Sequence, residues 1–122
     1  MCEGVKPAGI HHVNICVRDA DEALVFYRDV MGMTVLDRPD FGFPGYWFDA
    51  GGEQLHLTVD ADGVGHGHFA IRVTDIDDAV AAIREHDVRV DTIPATAGAG
   101  RQAFLTDPSG NIIELNQQVP QG

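Results

Sequence analysis

The chain has 122 residues with two cysteines, and its 19 acidic groups against 8 basic ones leave a formal net charge of −11. A chain of this length folds around one core that buries about two thirds of the surface its unfolded form exposes, and its charge argues against nucleic acid as a partner because phosphate backbones are repelled. Cys2 and Cys16 have no disulfide or CxxC spacing, the N-terminus has no export pattern, and no run approaches the ~18 apolar residues of a membrane span, so the expectation is a reduced, cytoplasmic setting with no membrane.

The first predicted element is a strand, HVNICV from His12, in which Val13, Ile15 and Val17 alternate with other residues. A helix follows. Asp19 is its N-cap, Glu22 lies in its first turn, apolar residues recur at 20, 23, 24, 27, 30 and 31, and Gly32 stops it. Strand-like stretches MTVLDR, YWFDA and EQLHLTV come next, then the acidic, glycine-containing linker DADGVGHG at 60–67. The pattern then repeats. HFAIRVTDIDDA from His68 aligns with HVNICVRDADEA from His12 at an offset of 56, and Asp75 caps a second helix with apolar residues at 76, 79, 80 and 83. VRVDTI, RQAFLT and, after the type I turn DPSG, NIIELNQ complete the second copy, where IEL around Glu114 matches LHL around His56 at an offset of 58. The expected fold is α+β, with two βαβββ modules in a single domain over 1–122. Module one covers about 9–59, the linker 60–67, and module two about 68–117.

Period two gives the four matching strands two faces each. The aliphatic face suits a covering helix, and the other carries His12, Asn14 and Cys16; Gln54, His56 and Thr58; His68, Ala70 and Arg72; Ile112, Glu114 and Asn116. An antiparallel sheet often has one wet face, which is the simpler explanation for a single strand. Three histidines and a glutamate at matching places in a duplicated unit, on a face without lysine, favour a metal site. His and carboxylate together suit Ni, Zn, Co, Mn or Fe, and the lack of thiolate argues against a purely structural zinc. His11 falls on the helix side as a structural histidine and is the reserve ligand if the register slips by one; His66 and His86 are expected in solvent. Arg101, after a glycine-containing loop, is a candidate clamp for a substrate carboxylate, as are Arg72 and Arg38, although each is equally readable as an exposed or salt-bridged arginine. Phe43, Tyr46 and Trp47 in FGFPGYWF either fill the core or form the apolar wall of a pocket. Asn14 shares the ligand face and is a substrate-binding candidate, whereas Cys16 reads as a small packed residue.

The stretches GIHHVNICVRDADEALVFYRDVMGM, GHFAIRVTDIDDA and DPSGNIIEL resemble the vicinal oxygen chelate superfamily over nearly the whole chain. That superfamily includes glyoxalase I, fosfomycin-resistance transferases, methylmalonyl-CoA epimerase and extradiol dioxygenases. The resemblance implies paired modules that form an open, curved mixed β-sheet barrel around a divalent metal held by His12, His56, His68 and Glu114. It further implies a small-molecule substrate that chelates through vicinal oxygens and a lyase or isomerase passing through an enediolate-like intermediate, with Glu114 or a metal-bound water as base. His56 stands where glyoxalase I typically carries a carboxylate. The alternatives are Fe(II)-dependent extradiol cleavage through His12, His68 and Glu114, and a non-catalytic protein that sequesters a drug or metabolite. Some members pair modules across chains, and the short linker makes a homodimer with sites at the interface the expected assembly.

Overall fold

The computed structural model describes residues 4–6, 8–65, 67–96 and 100–118; Cys2 and His66 lie outside them. Module one contains strand β1 (His12–Val17), helix α1 (Ala20–Val25) with a π-helical turn (Phe26–Val30), and strands β2 (Thr34–Leu36), β3 (Trp47–Asp49) and β4 (Gln54–Val59). A 3-10 turn (Ala61–Gly63) leads to module two: β5 (His68–Arg72), α2 (Ile76–Arg84), β6 (Asp91–Thr96), β7 (Gly100–Thr106) and β8 (Ile112–Gln117). This is an α+β fold in which the βαβββ unit occurs twice. One boundary moved, since β6 begins at Asp91 and the residues before it, including buried Val90, precede the strand.

Each module forms its own mixed sheet, in the orders β1-β4-β3-β2 and β5-β8-β7-β6. The parallel pairs are β1 with β4 and β5 with β8, and the remaining neighbours are antiparallel. β1 and β5 are edge strands, and among the described residues no strand pairing joins the two sheets. The chain therefore presents two open sheets, not a closed barrel.

Both helices begin at the expected caps. Asp19 Oδ1 accepts from the Glu22 amide at 2.8 Å and Asp75 Oδ1 from the Asp78 amide at 3.1 Å, each satisfying a donor that the first turn leaves unpaired. The first helix does not keep one period to Gly32. Its end widens, with the Met31 amide bonded to the Phe26 carbonyl at 3.0 Å. Successive residues in a regular helix point about 100° apart. The wider turn accommodates Phe26 and Tyr27, adjacent side chains that are both buried. Ile15, Val17, Phe48, Leu55 and Leu57 of one sheet and Ala103, Leu105, Ile113 and Leu115 of the other join Ala23, Phe26, Tyr27, Ile76, Val80 and Ile83 in a single core. Among the described residues, no helix is long and apolar enough to cross a membrane.

A buried polar knot ties the modules together. Tyr27 Oη donates to Asp107 Oδ2 at 2.7 Å, and the Asn111 amide and Ser109 amide donate to Asp107 Oδ1 at 2.8 and 2.9 Å. Asn111 Nδ2 donates both to Asp107 Oδ2 and to the Cys16 carbonyl. A carboxylate only 4% exposed is thus satisfied by hydrogen-bond donors, as a buried charge requires. Burial, reinforced by the Asp107 charge, pushes the Tyr27 hydroxyl far above its ordinary value, so it remains a donor. Replacing Tyr27 by Phe should cost about 1–3 kcal/mol, because Asp107 would keep its burial with one donor fewer. The urea midpoint should fall with an unchanged slope, and an unmoved midpoint would show the bond to be dispensable.

Candidate functional site

The faces away from the helices carry the four candidate ligands. In the first sheet, Trp47 pairs with His56, and His56 with Asn14, so these residues lie in one row across β3, β4 and β1. The His56 ring stacks on that of Trp47 and, on its other side, on that of His12 in β1. The Trp47 and His56 ring centres are 4.3 Å apart at 8°, and those of His56 and His12 are 4.0 Å apart at 12°. Phe41 extends the ladder beyond Trp47 at 6.1 Å. His56 Nε2 donates to Gln54 Oε1 at 2.8 Å, which leaves Nδ1 with the lone pair. Burial holds its imidazole below the ordinary histidine value, and the neighbouring charges of His12, His11 and Arg38 add to the effect. His56 is therefore neutral near pH 7, the state a metal requires. Asn14 is bonded reciprocally to Thr58 in the same sheet.

In the second sheet, Glu114 Oε2 accepts from Gln102 Nε2 and Asn116 Nδ2, each at 3.1 Å, and His68 Nε2 lies 3.4 Å from Oε1. Burial would raise the Glu114 pKa, but the hydrogen bonds from Asn116, Gln102 and His68 outweigh it and hold the carboxyl below its ordinary range. It is ionised near neutral pH, and its orientation is fixed by two amides. Arg72 lies exposed on this face.

The four candidate ligands are thus divided into two pairs, His12 with His56 and His68 with Glu114. Among the described residues, no three side chains of ligand type are gathered into one cluster. The chemistry of each pair fits a divalent ion: the neutral His56 imidazole beside a second imidazole on one sheet, an ionised carboxylate beside an imidazole on the other.

Several expected positions differ. Arg101 lies on the helix side of β7, where its guanidinium forms a bidentate pair with Asp77 at 2.8 and 3.0 Å. The residue facing Glu114 is its neighbour Gln102, which sequence reasoning passed over. Tyr46 also turns to the helix side, where it packs on the core and donates to Asp21 Oδ1 at 3.1 Å, so it does not wall the ligand face. Phe43 is exposed and stacks on Phe41. His11 precedes β1, so strand alternation does not apply to it; it is exposed, with Nδ1 2.9 Å from His12 Nδ1. Cys16 is half-buried beside Gly63, and His86 is exposed.

A lactoylglutathione lyase of Haemophilus influenzae is 32% identical over 121 residues, covering 87% of this chain and 90% of that protein. Relatives in Brassica oleracea and Arabidopsis thaliana are longer, and the chain spans 44% and 35% of their lengths. Among solved structures, a glyoxalase family protein from Bacillus anthracis superposes with a TM-score of 0.83 at 24% identity, covering 98% of this chain and all of that one. TnmS3, an antibiotic binding protein from Streptomyces sp. CB03234, superposes with a TM-score of 0.79 at 27% identity, covering 95% of this chain and all of the other. A match from residue 9, ahead of β1, to residue 115 in β8 omits neither module, and the chain belongs to the Glyoxalase/Bleomycin resistance protein/Dioxygenase superfamily.

Proposed function

We propose that this protein is a divalent-metal-dependent lyase or isomerase of the glyoxalase type, acting in the cytoplasm on a small substrate that chelates through vicinal oxygens. The observation that carries the reading is the preparation of the two ligand pairs: His56 neutral in its ring stack, Glu114 ionised and oriented by Gln102 and Asn116. The lactoylglutathione lyases among its relatives agree with it. His12, His56, His68 and Glu114 would hold the ion, which when bound would polarise the substrate oxygens and stabilise the charge left as a proton departs from carbon. Because the described residues of one chain keep the four ligands in two separate pairs, in this reading the site takes His12 and His56 from one copy and His68 and Glu114 from another in a homodimer. A lowered pKa makes Glu114 a good ligand and a weak base, so its principal work in this reading is to hold the ion.

The test loads the protein with Ni, Zn, Co, Mn or Fe(II) and follows hemithioacetal isomerisation together with oxygen uptake on catechols. Metal-dependent isomerisation without oxygen uptake is expected. Stoichiometric oxygen consumption would replace the reading with extradiol cleavage. A second reading, a sequestering protein, is favoured by the likeness to TnmS3 and by the ladder of rings from His56 through Trp47 to Phe41; tight ligand binding without turnover on any metal would establish it.

A further inference from the structure

The cations of this acidic chain are unevenly partnered. Arg18, Arg28, Arg89 and Arg101 each hold a carboxylate, and Arg84 donates to the Val90 carbonyl. Arg38 holds no carboxylate among the described residues, although acidic groups outnumber basic ones more than two to one. Its Nη1 donates to the Phe43 carbonyl at 3.2 Å, while its buried Nε has no acceptor among the described residues. A buried N–H without a partner is costly and rare, and one on a cation more so.

The side chain is nevertheless held firmly. Its guanidinium carbon lies 5.0 Å from the centre of the Phe41 ring and 5.2 Å from that of Phe43. Gly45 lies against its other parts so closely that a β-carbon there would sit 3.0 Å from Nη2 and 2.9 Å from the Leu57 carbonyl, so only glycine fits. The place is also particular. Leu36 pairs with Trp47 on the open face, and Arg38 follows two residues later, at the end of the ring ladder beside Phe41. A fixed guanidinium lacking a counter-charge, beside exposed aromatic rings, is suited to a ligand that brings both a flat surface and an anionic oxygen group.

We propose that Arg38 is the receptor for an anionic oxygen group, a carboxylate or a phosphate, on a small ligand whose apolar part lies among Phe41, Phe43 and Trp47. The proposal rests on reading this face as a ligand site, and it names Arg38 where the sequence pointed equally to Arg101 and Arg72. Phe41 and Phe43, 49% and 58% exposed on a segment without regular structure, swing aside to admit the group, which supplies the acceptor Nε lacks.

Trp47 is the only tryptophan, so its fluorescence reports on this corner alone. The full-length protein, kept in chelator so that no metal captures the probe, is titrated with benzoate, phenyl phosphate and benzamide. At least one of the two anions should change Trp47 emission saturably, at least tenfold more tightly than neutral benzamide, and the tighter anion identifies the group as carboxylate or phosphate. Arg38→Gln should weaken that anion at least tenfold, and Arg38→Lys should recover part of the loss. Arg28→Gln, which removes an equal charge from the helix exterior, should leave the affinity unchanged. Equal binding of benzamide, no saturable change with either anion, or full affinity in a folded Arg38→Gln variant would overturn the proposal. Neither metal nor turnover enters the measurement, so its failure and the failure of the enzymatic reading remain distinct.

Discussion

His68→Ala should weaken divalent-metal binding by more than about 100-fold, the upper end of what losing a mere supporting partner of a ligand costs. The substitution removes one of four expected ligands and leaves Glu114 with its amide partners Gln102 and Asn116 and, among the described residues of its own chain, no other side chain of ligand type in contact. Gln102→Ala provides the scale. It deletes only a hydrogen bond that orients Glu114, so about a tenfold loss is expected. Calorimetric titration of Ni or Zn into chelator-stripped protein measures both. Wild-type affinity in His68→Ala would remove His68 from the site, and a larger loss in Gln102→Ala than in His68→Ala would mean that the carboxylate alone governs binding.

Mixing two inactive chains should restore function. One chain carries His12→Ala with His56→Ala, the other His68→Ala with Glu114→Gln, so each spoils a different half-site. If sites form between copies, a mixed dimer contains one intact site and one with every ligand lost. Random reassociation makes about half of the dimers mixed, so about a quarter of the wild-type sites should return. Metal stoichiometry reads the result even without a substrate. No recovery after verified exchange of subunits, or a wild-type monomer in sedimentation that binds metal stoichiometrically, would show that a single chain completes its own site.

The duplication was legible because it is written twice: His12 and His68 open the copies, Asp19 and Asp75 cap the helices, and aliphatic residues alternate in the first and last strand of each module. Alternation failed where both faces are apolar. In RQAFLT, Ala103 and Leu105 go inward and Phe104 outward, a choice that hydrophobicity alone leaves open, and Arg101 and Gln102 exchange roles with it. YWF posed the same problem, since Tyr46 and Trp47 are neighbours and must face opposite ways. Arg38 sits beyond the end of β2, before a segment with no period to read, and its fit against Gly45 depends on a backbone approach that only three dimensions display. The π-helical turn is similarly invisible, since one wide turn barely disturbs the apolar spacing. How modules pair is a relation between surfaces, and no local pattern encodes it.

The Tyr27–Asp107 bond joins partners 80 residues apart, which has a consequence for synthesis. A chain leaving the ribosome at about 5–20 residues per second displays Tyr27 several seconds before Asp107 exists. During that interval the first module has an aromatic side chain shaped for a core whose other wall has not been made. Its completion waits for the DPSG turn, and a nascent chain arrested before residue 107 should be cut by protease near the π-helical turn, whereas one extended past Asn111 and clear of the exit tunnel should resist.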